Sequence, residues 1–215
     1  MIELVAFDLD GTLADTLPLC ITSFQKALNP YLNHPLSVDD VKKTFGVNEE
    51  GMVKMLVKDN WQAPYNDFLK YYTQFHGLCP KPFDGIKQLI AELKERNLLV
   101  ALVTGKGSPF CKVSLEIFGL NDCFDSIETG CPEKNIKTES LIDLTKKFNI
   151  KSNQMIYIGD TVSDVISCRE ADVCCLSAAW ANSADIDNLK KENPGNVILN
   201  LKDLKERLDI LILNK

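Results

Sequence analysis

The chain has 215 residues, 45% of them apolar, enough for one large or two small domains with a real core. Its 24 basic and 30 acidic residues leave a net charge of −6 with no long basic run, which argues against nucleic acid as a partner while leaving room for a small anionic metabolite at a locally positive site. No segment approaches a membrane span and the N-terminus lacks a signal-type apolar region, so a cytoplasmic location without membrane attachment is expected.

The first element is an apolar run, Val5-Ala6-Phe7, that continues into Asp8-Leu9-Asp10-Gly11-Thr12. Such a run reads as a buried parallel strand, and residues two apart on a strand face the same way, so Asp8 and Asp10 are expected to project together from its carboxyl end. Two carboxylates held together repel, which calls for a hard divalent cation or a shared proton. Gly11 permits a tight turn there. The continuation lacks the ligands and closing glutamate of a calcium loop.

From Leu17 to Cys79 the pattern is helical, over Leu19 to Leu28, Val38 to Phe45, Glu50 to Lys58 and Tyr65 to Phe75, with breaks expected at Pro30, Pro35, Gly46 and Pro64. Ile86, Leu89, Ile90 and Leu93 mark an amphipathic helix before a second buried strand, Leu98 to Val103. That strand ends in Thr104-Gly105-Lys106-Gly107-Ser108 and opens onto a helix, Pro109 to Phe118. A hydroxyl and free backbone N–H groups there suit a phosphate, although a capped turn would look the same.

A short strand near Phe124 to Glu128 and a helix, Thr138 to Phe148, precede a third clear strand, Met155 to Ile158. It ends in Gly159-Asp160-Thr161-Val162-Ser163-Asp164, where Asp160 and Asp164 can meet at one metal, or Thr161 or Ser163 can cap a helix. Cys174 to Ser177 and Val197 to Leu199 read as shorter strands, and Leu201 to Leu211 as a last helix. The whole is a doubly wound parallel α/β sheet with a small helical insertion after the first strand. The eight cysteines lack metal-site spacing and read as reduced thiols, and His34 and His76 have no catalytic neighbours in sequence.

The string Asp8-Leu9-Asp10-Gly11-Thr12-Leu13-Ala14-Asp15-Thr16 resembles the first motif of the haloacid dehalogenase-like hydrolase superfamily, and Gly159 to Asp164 its fourth. Thr104-Gly105 resembles the second, more weakly. The resemblance implies a Rossmann-like core over 1–16 and 80–215, a helical cap over 17–79, and a Mg²⁺-dependent phosphatase most similar to the phosphoglycolate phosphatase branch. It further implies Asp8 as nucleophile, Asp10 as general acid and base, Thr104 and the Gly105 N–H as phosphate ligands, and Asp8, Asp10 (through its carbonyl), Asp160 and Asp164 around the metal.

Lys137 and Lys134 compete for the third-motif lysine that binds phosphate beside the nucleophile. Lys137 is preferred because it opens a helix 23 positions before Asp160, although many relatives have proline after this lysine where this chain has Thr138. Lys106 is at most a substrate contact. The implied partner is a small phosphorylated metabolite, and the protein a monomer or small homo-oligomer. Rival readings are a sugar phosphomutase, disfavoured by the absence of an arginine after Gly46; a phosphonate hydrolase using Lys42, Lys43, Lys54 or Lys58; and a catalytically silent binding protein.

Overall fold

The computed structural model describes residues 1–213; residues 214–215, the end of the segment assigned to the core, lie outside it. Six parallel strands form one sheet: β1 (Leu4–Phe7), β2 (Leu99–Val103), β3 (Ser126–Glu128), β4 (Met155–Gly159), β5 (Cys174–Ala178) and β6 (Val197–Ile198). Their spatial order is β3-β2-β1-β4-β5-β6. The chain therefore steps outward from β1 to β3, returns to the middle, and leaves in the other direction through β4. The crevice between β1 and β4, outside their carboxyl ends, is the topological switch point where such sheets bind ligands.

The unbroken apolar runs are explained by helices on both faces. Val5 and Phe7 point into one buried cluster with Val100, Leu102, Ile156 and Ile158, whereas Leu4 and Ala6 point into another with Ala101, Val103, Met155 and Tyr157. The first cluster is covered by α5 (Ile86–Glu95), α6 (Ser108–Phe118) and α10 (Leu201–Leu213), and it continues through α1 (Leu17–Leu28) into the inserted segment. The second is covered by α7 (Lys137–Phe148), α8 (Val162–Glu170) and α9 (Ile186–Glu192).

Between β1 and α5 the chain also forms α2 (Val38–Lys42), α3 (Glu49–Leu56) and α4 (Gln62–Gln74). Phe68 of α4 packs on Phe24 of α1 and on Phe110 of α6, with ring centroids 5.0 and 4.7 Å apart. Aromatic pairs of this kind add about 0.5–1.5 kcal/mol each beyond their buried area and tie the inserted helices to the sheet's own helix layer.

Two local expectations change, and one helix is added. Pro64 does not break a helix but sits in the first turn of α4, where its missing N–H would be unpaired anyway. The helix expected from Val38 to Phe45 stops at Lys42, before the Gly46 backbone at φ +114°. Helix α9 had no visible apolar stripe because Leu189 is its only buried residue.

Candidate active site

β1 ends at Phe7, and that ending separates the two aspartates. Asp8 follows the Leu4 and Ala6 face, its N–H donating to the Ile158 carbonyl at 2.8 Å, and its carboxylate meets the Lys137 ammonium at 2.9 Å. Asp10 lies beyond the strand, so the expected two-residue alternation fails there. Its carboxylate turns instead to the Thr16 hydroxyl and to Lys106 Nζ, 3.2 Å away. The intervening turn needs Gly11: its φ is +75°, and a Cβ there would fall 2.0 Å from Asp160 Oδ2. Trp180 braces the same turn by donating its indole N–H to the Thr12 carbonyl at 3.0 Å.

Lys137 is the first residue of α7, its N–H accepted by the Asn135 side chain at 2.9 Å. Its buried ammonium lies between Asp8 and Asp164, 2.5 Å from the latter. Asp164 is in turn held from every side. Its second oxygen accepts from the Thr161 N–H at 3.0 Å and hydroxyl at 2.6 Å, forming the capping box that starts α8, and the Tyr157 hydroxyl lies 3.1 Å from the first. Lys134 belongs to none of this; it is exposed and pairs with Glu139.

Among the described residues, Asp8, Asp160 and Asp164 bring carboxylate oxygens within 4.8 Å of one another. The Asp10 side chain is not in that group. Asp8 Oδ1 and Asp160 Oδ1 are buried without any hydrogen-bond partner, the chemistry of a hard-cation site and costly otherwise.

At the end of β2, Thr104 Oγ1 accepts the Lys106 N–H at 3.2 Å, and a Cβ on Gly130 would strike the Gly105 carbonyl at 2.0 Å. The Lys106 side chain is 2% exposed and pairs with Glu49 at 3.1 Å as well as with Asp10. Sequence reasoning gave Glu49 no role of its own, because it fell between Gly46 and the helix expected from Glu50, whereas α3 begins at Glu49 itself. Thr16 was equally silent, whereas a tyrosine inside a buried strand, Tyr157, is a legible signal because its hydroxyl requires a partner. Asp8, Asp10, Glu49, Lys106, Lys137 and Asp160 line a cavity of about 830 Å³, within the range of small-molecule sites.

Burial dominates the electrostatics. It pushes the Asp8 carboxyl up from 3.8 to about 6 despite Lys137 beside it, and it likewise raises Asp160, with Asp8 adding repulsion. For Asp164 burial acts the same way, but Lys137 and the Thr161 hydrogen bonds outweigh it and hold the group below the ordinary value. Burial also works against charge on Lys137; Asp164 and Asp8 overcome it and keep the ammonium charged.

A stability signature follows. A carboxyl whose pKa is raised on folding favours the folded state below about pH 4 and loses that contribution as pH climbs through about 6. In chelator, the melting temperature of wild type relative to Asp8→Asn is expected to fall between about pH 5 and about pH 7.5. A difference independent of pH would mean that Lys137, not burial, governs Asp8.

Residues 5–178 match the family model described as haloacid dehalogenase-like hydrolase. The chain belongs to the haloacid dehalogenase-like hydrolases. As a member of this hydrolase family it is an enzyme, and it is similar over nearly its full length to a phosphoglycolate phosphatase of Nitrosococcus oceani, 28% identical with 96% of each chain covered. It is also similar to the pyrophosphatase PpaX of Halalkalibacterium halodurans, 26% identical with 98% of this chain and 97% of that one covered. Two solved structures show the same haloacid dehalogenase-like fold. A hydrolase from Pseudomonas syringae has a TM-score of 0.80 at 20% identity, covering 98% of this chain and 99% of that one. CbbY from Rhodobacter sphaeroides, in complex with phosphate, has a TM-score of 0.78 at 15% identity, covering 95% and 96%. No helix among the described residues is long and apolar enough to cross a membrane.

Proposed function

We propose that the protein is a Mg²⁺-dependent phosphatase of small organic phosphates, with the machinery of the phosphoglycolate phosphatase branch and an aspartyl-phosphate intermediate. The observation that carries this reading is the pair of partnerless buried oxygens on Asp8 and Asp160, set at the switch point beside one buried ammonium. These oxygens and the Asp10 carbonyl would hold Mg²⁺. When bound, the ion supplies positive charge that lets a phosphate dianion approach the nucleophile and stabilises charge during transfer.

The Asp8 carboxylate attacks phosphorus in line; the bond from phosphorus to the leaving oxygen breaks, and that oxygen takes its electron pair and a proton from Asp10. Asp10 then removes a proton from water, which attacks the phosphorus of the aspartyl-phosphate and frees Asp8 and inorganic phosphate. Thr104 and the Gly105 N–H hold the phosphoryl oxygens. Lys137 neutralises charge on the same oxygens. Asp164, with its oxygens already accepting from Lys137 and Thr161, fixes that lysine more than it ligates metal.

Residues 17–79 serve as a cap over the core formed by 1–16 and 80–215, keeping bulk water from the intermediate, and the cavity's size suits a small metabolite. Eight free cysteines support a reducing, cytoplasmic setting. The test is hydrolysis of p-nitrophenyl phosphate by purified protein. Turnover is expected with Mg²⁺ and its loss in chelator, with beryllofluoride captured at Asp8. Undiminished turnover in chelator would overturn the metal assignment.

A further inference from the structure

Glu49 is the first residue of α3, in the inserted segment, yet its carboxylate is buried against the core. One oxygen accepts the Gly107 N–H at 2.6 Å, at the start of α6, and the other meets Lys106 Nζ at 3.1 Å. The position is anchored independently. The Asn48 N–H donates to the Cys131 carbonyl at 3.0 Å, its side-chain amide donates to the Gly130 carbonyl at 3.1 Å, and its Oδ1 caps α3 by accepting the Gly51 N–H.

Lys106 lies 3.2 Å from Asp10, the residue assigned to the leaving oxygen, so the Lys106–Glu49 pair flanks the organic part of a substrate. There the positive charge is already committed. Lys106 divides one charge between two carboxylates, Gly107 has spent its N–H on Glu49, and Lys137 serves the phosphate side. Lys42 also lines the cavity, but it is exposed, where solvent screens it.

We propose that Glu49 is a specificity residue that reads the charge of the leaving group: it admits phosphomonoesters carrying a hydroxyl or ammonium near the ester oxygen and rejects those carrying a carboxylate or second phosphate there. A hydroxyl or ammonium donates to the Glu49 carboxylate. An anion finds Lys106 and the Gly107 N–H already engaged and meets the buried like charge of Glu49, unless it displaces that carboxylate. The inference rests on the phosphatase reading of the same site.

Three probes of nearly equal size separate the cases: 2-hydroxyethyl phosphate, phosphoethanolamine and 2-phosphoglycolate. With Mg²⁺, wild type is expected to favour the first two over the third in kcat/KM by on the order of tenfold or more. Glu49→Gln, which keeps the side chain's shape and removes its charge, should narrow that ratio several-fold. Because the ratio is taken within one preparation, loss of folded protein cancels, and if the variant does not fold the wild-type ranking decides. A wild-type preference for 2-phosphoglycolate, or a ratio unchanged in Glu49→Gln, would overturn the assignment. Absence of p-nitrophenyl phosphate hydrolysis by wild type would instead overturn the phosphatase reading, and this inference with it.

Discussion

Asp8→Asn is expected to abolish turnover, by on the order of 10⁴-fold or more, while the protein stays folded. Asp8 is buried at the end of β1, and its partnerless oxygen faces the cavity shared with Asp160. An amide has nearly the same shape and can still accept from Lys137, so the surrounding contacts survive. It cannot form the bond to phosphorus. The variant should therefore give a cooperative melt, bind phosphate weakly and fail to capture beryllofluoride. Turnover above about 1% of wild type, with hydrolysis of the amide back to the acid excluded by mass, would place the nucleophile elsewhere.

The two candidate lysines are expected to behave in opposite ways. Lys137→Ala removes the one ammonium between Asp8 and Asp164. Stripping a preorganised charge from the reacting oxygens should lower kcat/KM by about 10²–10³-fold. The same change leaves two buried acids facing each other, which should cost about 3–5 kcal/mol of stability near neutral pH, and less in acid where they take up protons. Lys134→Ala should change neither activity nor melting temperature, because that side chain is exposed and its pairing with Glu139 is screened by solvent. Measuring kcat/KM and melting curves for both variants decides the matter. A larger loss in Lys134→Ala would move the lysine of this site by three residues.

Much of the sheet was legible because its central strands are buried on both faces. Val100 to Val103 and Met155 to Ile158 are apolar without interruption, and each run ends near an acid, glycine or hydroxyl that a buried strand could not carry further. The inserted helices were legible as helices but not in their limits, since Pro64 and the Gly46 turn act through position within a turn rather than identity alone. Helix α9 escaped because one buried leucine makes no period.

The sequence by itself determined which residues end the strands, hence that Asp8, Thr104 and Asp160 gather at one edge of the sheet; this follows from local burial and from the parallel register of neighbouring strands. Only the tertiary structure decided what each charge faces. Asp10 parts from Asp8 because β1 stops before it, and Lys106, in the turn before α6, is shared with an acid 57 positions away at the start of α3. Lys137, rather than Lys134, reaches the acids because α7 begins at that residue and packs against α8 and β2, which sets the ammonium between Asp8 and Asp164. Strand periodicity is a property of near neighbours, whereas pairing of buried charges depends on how separate elements pack. Sequence spacing does not encode that packing.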